Sequence, residues 1–235
     1  MKLGIIGGGQ MAGAIIKGII ESERVRPEHI IVSDVEVSKL KQLSQAYAIK
    51  TTASNLEVVA ASEVIILAVK PHILSQVLKE IDINLKPNHI LISIAAGITT
   101  DLIQQVLSTK VKIVRIMPNT ACLIGKGVSA LCLGFGAGPE EQQLVRTLFA
   151  SLGDVVLVNE EDMNAVTALS GSGPAYVYLF IETLIDAGVK MGLSRVVARH
   201  LAISTVSGGA EMLKQSGKHP AELKDMVTSP GGTTI

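Results

Sequence analysis

The chain is 235 residues long, 48% hydrophobic and 18% charged, enough to bury a core as one large domain or one domain plus a smaller one. Lys+Arg and Asp+Glu balance at 21 each, and aromatic residues are only 3% with no Trp, which excludes the basic face and stacking platforms that nucleic acid needs. Two cysteines, Cys122 and Cys132, and five scattered histidines show no paired metal-ligand spacing, so a disulfide framework and a metal site are not expected.

The opening "MKLGIIGGG" has no charged region before a long apolar stretch, so it is not a signal peptide. The most apolar segments are too short or carry carboxylates, so no membrane span is expected. These features predict a reduced, soluble, cytoplasmic protein. Lys2–Ile6 is a short β-branched run, expected as a buried strand, and Gln10–Ile20 places Met11, Ile15, Ile16 and Ile19 on one helical stripe. "HIIVSD" predicts a second strand and "SKLKQLSQAY" a second helix. "SEVIILAVKP" is a third strand stopped by Pro71, with the helix "ILSQVLKEI" behind it. "HILISIAAG" and "VKIVRIMPN" follow as strands around "TTDLIQQVLST". "GVSALCLG" and "GDVVLVNE" extend the sheet, with a helix over Pro139–Leu152 between them. The alternation predicts an α/β fold, a Rossmann-type doubly wound parallel sheet.

After Val158 the spacing becomes helical throughout. "DMNAVTALS", "GPAYVYLFIETLIDAGVKMG" and "SRVVARHLAISTVSGGAEMLKQSG" read as helices, with Gly192 as a stop and Ser194 as the next N-cap. A boundary near Asn159 therefore separates a dinucleotide-binding domain, residues 1–158, from an all-helical domain, residues 159–235. The helical part is apolar around its circumference and is expected to pack against a second copy, with Ala187, Gly188, Gly208 and Gly209 where helices approach closely.

Several loops carry chemistry. Gly7-x-Gly9-x-x-Ala12 directly follows the first strand and opens the first helix. Glycines there allow a tight turn and let a pyrophosphate approach backbone N–H groups, with Gln10 and Met11 in the same turn. Asp34 ends the second strand, where an acid accepts from ribose hydroxyls and repels a 2′-phosphate. Its local chemistry leans toward NADH, while Ser33, Lys39 and Lys41 leave NADPH open, and helix capping is the alternative role for the acid. Ala68–Pro71 (with Val69 and Lys70) and Ala95–Gly97 (with Ala96) end two strands, where small residues leave room for a nicotinamide. Asn119 fits plain turn chemistry as well as a site role. No Ser–His–Asp set is present, which disfavours hydrolysis. The last residues, "MVTSPGGTTI", form a second glycine turn rich in free N–H groups.

The ordered strings "GGGQMA", "AVKPH", "SIAAGI", "RIMPNT", "LSGSGPAYVY", "DAGVKMGL" and "HPAELKDMVTSPGGTT" resemble the pyrroline-5-carboxylate reductase family from Lys2 to Ile235. The resemblance implies a Rossmann domain and a helical dimerisation domain, in dimers that assemble further. It also implies reduction of 1-pyrroline-5-carboxylate to L-proline by NADPH or NADH. By position, Gln10 and Met11 fall at the pyrophosphate turn, Ser33 and Asn55 near the adenosine side, and Ala68–Pro71 and Ala95–Gly97 beside the nicotinamide. Ser229, Gly231, Gly232, Thr233 and Thr234 match the loop for the substrate carboxylate and ring nitrogen, with Ser229 and Thr234 as the catalytic pair and one of Glu160 and Glu161, taken as Glu161, as a further substrate contact. The family pattern continues beyond "GGTT" with a helix, so a further helix is expected past Ile235. A ketone-reducing hydroxyacid dehydrogenase is the runner-up. It wants a Lys as general acid early on the first long helix of the second domain, and only Lys190 lies there, at the far end. A nucleotide sensor without turnover is a further alternative, disfavoured by the intact substrate loop.

Overall fold

Buried parallel strands read as unbroken apolar runs because both faces are covered, and the first strands here have that character. They are β1 (Leu3–Ile6), β2 (Ile30–Ser33), β4 (Val64–Leu67), β5 (Ile90–Ser93) and β6 (Lys112–Pro118). The computed structural model describes Met1–Ile235 and divides the chain into two compact units, Met1–Pro174 and Ala175–Ile235.

In the first unit, helices α1 (Gln10–Glu21), α2 (Val37–Tyr47), α4 (Pro71–Ile81), α5 (Thr100–Val106) and α6 (Pro139–Phe149) alternate with those strands and with β7 (Gly127–Leu133) and β8 (Gly153–Leu157). A short polar strand, β3 (Lys50–Thr52), and a helix, α3 (Asn55–Ala61), complete it. Ser54 caps α3 by accepting from Glu57 N at 3.3 Å. The single eight-stranded sheet has the order β3-β2-β1-β4-β5-β6-β7-β8. Pairs are parallel except β6 with β7, so β7 and β8 run against the other six. The expected doubly wound parallel sheet is thus parallel-dominated, with this one antiparallel step near its far edge. Only Asn119–Lys126 joins β6 to β7, a stretch too short for a crossover helix, so the return must be antiparallel.

Each face has its own core. Ile5, Ile66 and Val114 pack with Ile15 and Ile16 of α1, Leu40 of α2 and Phe149 of α6. Ile6, Leu67 and Ile113 pack with Val59 of α3, Leu78 of α4 and Ile103 of α5 on the other. The segment after Asn159 also belongs to this unit. A short helix α7 (Met163–Val166) buries Met163 against Ala130 and Cys132, and a wider π-helical turn, Thr167–Gly171, follows it. Helical spacing alone assigns residues 159–174 to the second domain, whereas the packing of Met163 ties them to the sheet.

The second unit consists of α8 (Gly173–Lys190, beginning two residues before the division), α9 (Arg195–Ser216) and α10 (Pro220–Met226). Gly192, at φ +100°, ends the α8 turn, and Ser194 caps α9 by accepting from Val197 N at 3.4 Å. Gly188 works within the chain. A Cβ there would lie 3.0 Å from the Ala198 Cβ, so the bare glycine seats α9 against α8, while Gly208 and Gly209 face open space. Tyr176, Leu179 and Phe180 of α8 and Val196 and Leu201 of α9 are exposed, an apolar load no monomeric surface normally carries. No helix is long and apolar enough to cross a membrane.

One glycine pair fixes the sheet's far edge. Gly127 and Gly153 face each other in register, and Gly153 has φ +133°. A Cβ on Gly153 would stand 1.9 Å from the Gly127 carbonyl oxygen. Gly153→Ala is therefore expected to destabilise the first unit by at least about 2 kcal/mol, through both positive φ and backbone collision. The measurement is the urea midpoint followed by circular dichroism; an unchanged midpoint would contradict this account of the edge.

Candidate active site

Chain order reverses between β1 and β4, and ligands of open α/β sheets bind outside the carboxyl ends of strands at such a switch point. The register lines up the ends of β2, β1, β4 and β5 in one row with the middle of β6. Ser33 pairs with Ile6, Ile6 with Leu67, Leu67 with Ser93, Ser93 with Arg115, and Arg115 with Cys132. Every loop read as cofactor-binding leaves the sheet just past this row.

Gly7 takes φ +103°, and a Cβ on it would lie 2.6 Å from the Ala68 carbonyl oxygen, so only glycine lets the β1 and β4 loops touch. Gly7 N donates to Ser33 O at 2.8 Å and Ala68 N to Ile6 O at 2.8 Å, which locks the crevice on both sides. Gly9 is the N-cap of α1, with no capping side chain, no acid in the first turn and open space around its Cα. That leaves first-turn N–H groups of a 12-residue helix facing outward, a fit for a pyrophosphate. Ala12 is buried where α1 meets the sheet, Met11 is half-buried and Gln10 exposed.

On the β2 side the structure gives more definite jobs than residue type could. Asp34 Oδ2 accepts from Gly8 N at 2.7 Å and Oδ1 from Glu36 N at 2.8 Å, so this carboxylate braces the glycine turn. Lys39 Nζ sits 2.6 Å from Glu36 Oε1 and 4.0 Å from Asp34 Oδ2. Its hydrogen bond to Glu36 raises the Lys39 pKa. Ser33 is fully buried and donates to Asn55 Oδ1 at 2.7 Å, while Asn55 Nδ2 donates to Glu80 Oε2 at 2.9 Å. Ser33 thus reaches a ligand only through Asn55, the first residue of α3.

Ala68 and Val69 are half-buried beside the crevice, Lys70 is exposed, and Pro71 starts α4. In the β5 loop Ala95 is buried, its N–H donating to Ser93 Oγ at 3.3 Å. Ala96 is half-buried, and Gly97 (φ +75°) is exposed. Asn119 does turn work, its Oδ1 accepting from Val128 N at 3.3 Å. Of the two adjacent glutamates, Glu160 turns inward to Arg115 and Thr100, while Glu161 is exposed. The terminal loop lies in the second unit. Gly232 N donates to Ser229 O at 2.9 Å, with Pro230 and Gly231 (φ +69°) at the turn's centre, and Thr233 and Thr234 are exposed.

The model described as NADP oxidoreductase, coenzyme F420-dependent, matches residues 2–97, and the pyrroline-5-carboxylate reductase dimerisation model matches residues 160–235. A pyrroline-5-carboxylate reductase 3 from Danio rerio is 44% identical over 235 residues, covering 100% of this chain and 81% of its own length. A pyrroline-5-carboxylate reductase from Synechocystis is 43% identical, with 100% and 87% covered. The chain belongs to the pyrroline-5-carboxylate reductase family. A solved family member from Plasmodium falciparum, with NADP bound, superposes with TM-score 0.89 at 38% identity over 100% of this chain and 86% of that one. One from Coxiella burnetii gives 0.92 at 34%, covering 99% and 87%.

Within this family member, sequence reasoning missed Glu80 behind Asn55 and the pairing of Glu160 with Arg115 and Thr100. Glu80 gave no signal. Arg115 did, as a lone charge inside a strand otherwise nearly all apolar. Glu36 holds Lys39 beside Asp34, so a test of cofactor choice takes in both acids. Glu36→Gln releases Lys39 without disturbing the Glu36 backbone N–H that Asp34 holds. The NADPH-to-NADH ratio of kcat/KM is expected to rise roughly threefold to tenfold, the modest size typical of an exposed charge. Asp34→Ser should raise the ratio too, but lower both values by loosening the glycine turn. An unchanged ratio in both variants would place the 2′-position elsewhere.

Proposed function

We propose that this chain reduces 1-pyrroline-5-carboxylate to L-proline by hydride transfer from NADPH or NADH, the last step of proline biosynthesis. The observation that carries it is similarity across the whole chain, both units included, to relatives named for this reaction. When bound, the nicotinamide cofactor supplies the hydride. The outward N–H groups at Gly9–Met11 hold its pyrophosphate, Asp34 and Asn55 face its adenosine side, and Ala68–Pro71 with Ala95–Gly97 flank its nicotinamide. A cyclic iminium accepts hydride far better than the neutral imine, and the substrate can arrive protonated, so no strong protein acid is needed. The Ser229–Thr234 turn presents backbone N–H groups to the substrate carboxylate. The exposed Thr234 hydroxyl orients the ring nitrogen, Ser229 supports the turn, and Glu161 is a further substrate contact. Catalysis is then mainly positioning of two reactants.

The working form is a homodimer or larger homo-oligomer built through the helical domain, in line with the dimerisation model over residues 160–235 and the exposed apolar residues of α8 and α9. We place the start of the helical dimerisation sequence near Asn159, with residues 159–174 packed in the first compact unit, and the enzyme in the cytoplasm, where its two buried free thiols stay reduced.

Purified protein is expected to oxidise NADPH or NADH when the imine is added and to ignore simple 2-keto acids; turnover of a keto acid with none of the imine would refute the proposal. Thr234→Val should lower kcat/KM for the imine about 5- to 150-fold, the loss of one hydrogen bond of roughly 1–3 kcal/mol, with cofactor affinity little changed. Wild-type rates would remove Thr234 from the mechanism. Leu179→Arg, placing a charge in the exposed α8 stripe, should shift the protein toward monomer in light scattering. An unaltered oligomer would move the interface to another face.

A further inference from the structure

Arg115 is 2% exposed in the middle of the sheet, its Nε and Nη2 have no hydrogen-bond partner, and its ion pair is with Glu160. Glu160 Oε1 pairs with Arg115, while Oε2 accepts from Thr100 N at 3.1 Å, Thr100 Oγ1 at 2.8 Å and the Cys132 thiol at 3.4 Å. Burial by itself would raise the Glu160 carboxyl, but the Thr100 and Arg115 contacts outweigh it and hold the pKa below the usual carboxylate range. Burial, helped by Glu160, pushes the Cys132 thiol up to about 12, so that group stays a neutral donor. The carboxylate is thus fixed as an anion between three elements.

What it fixes matters more than what it neutralises. Thr100 begins α5 and is the far end of the loop Ala95–Thr99, whose near end is tied by Ala95 N to Ser93 Oγ. Ser93 and Arg115 are register partners on adjacent strands. Thr100 is also pressed against Gly134, where any Cβ would come within 2.5 Å of the Thr100 Cβ. Between these two anchors lie Ala96, Gly97, Ile98 and Thr99. Ile98 packs on the core and Thr99 caps α5, which leaves Ala96 and Gly97 as the free part of the loop, Gly97 at φ +75° with open space where a Cβ would stand.

We infer that Glu160, held by Arg115, is a positioning residue: through Thr100 it sets the path of the Ala95–Gly97 loop and hence the nicotinamide's placement for hydride transfer. This rests on the proposed reductase activity and adds to it a residue that touches neither reactant. The positioning works by geometry, since misplacing reacting atoms by a fraction of an ångström slows transfer while leaving distant binding contacts intact.

The test uses the full-length protein with Glu160→Gln and Thr100→Val. Glu160→Gln removes the charge opposite Arg115. Thr100→Val removes one hydrogen bond with little change of shape and leaves the ion pair alone, so it carries the test if the first variant folds poorly. Three quantities are read: kcat with the imine, cofactor Kd from NADPH fluorescence, and the primary isotope effect on kcat with cofactor deuterated at the transferring position. Expected for Thr100→Val is a kcat lowered about tenfold, a Kd within threefold of wild type, and a larger isotope effect as hydride transfer becomes limiting. Folded variants with wild-type kcat would overturn the inference, as would a fall in kcat accompanied by an equal loss of cofactor affinity and an unchanged isotope effect. A wild-type protein that does not turn over the imine would instead count against the reductase reading itself.

Discussion

The parallel register of the central strands is the constraint on which the rest of this molecule depends. It places Ser33, Ile6, Leu67, Ser93 and Arg115 in a single row, so that β2, β1, β4 and β5 release their loops at one height beside the middle of β6. A one-residue slip in any pair would turn a side chain to the opposite face and carry its loop out of the crevice. The apolar members of the row are ordinary core. Its polar members are all buried, and each has a partner for at least one polar atom: Ser33 in Asn55, Ser93 in the Ala95 N–H two residues on, and Arg115, through one nitrogen, in Glu160. Polar groups in a dry interior are tolerated only when paired in this way, and the pairing ties the outer loops to the sheet.

Much of this frame can be read from the residues because its causes are local. Gly7-x-Gly9-x-x-Ala12 between an apolar run and an amphipathic helix has few other uses, and the structure shows why Gly7 is obligatory there. Gly192 and Ser194 mark a helix break by their own backbone and side-chain chemistry. Harder to see were β3 and α3. Lys50–Thr52 is short and polar, and α3 is seven residues of mixed character, too brief for a periodic signal. The reversed direction of β7 follows from loop length and not from any residue in the strand.

The site is less legible than the fold, because long-range pairing decides what each polar group has left to offer. Asp34 looks from sequence like a ribose acceptor, yet both its oxygens already hold backbone N–H groups of this chain. Ser33 looks like a surface contact and is fully buried. Glu160 and Glu161 are indistinguishable by type, and only the position of Arg115 across the sheet, 45 residues upstream, singles out the first. The helical unit hides its packing for the opposite reason. Its helices are apolar on several sides, so periodicity cannot tell the face that meets α8 or α9 from the face that meets another molecule.

The Arg115–Glu160 pair also bears on where the nucleotide-binding half of this chain can be cut. A fragment ending at residue 158, where strand–helix alternation stops, would keep every strand of the sheet and every glycine of the crevice. It would nevertheless lose both the carboxylate that pairs Arg115 and the Met163 segment that packs beside it on Ala130 and Cys132, opening that face of the sheet. The same holds for a chain still emerging from the ribosome, whose sheet stays electrically incomplete until Glu160 arrives. The smallest self-sufficient dinucleotide-binding piece of this protein is therefore longer than its sheet.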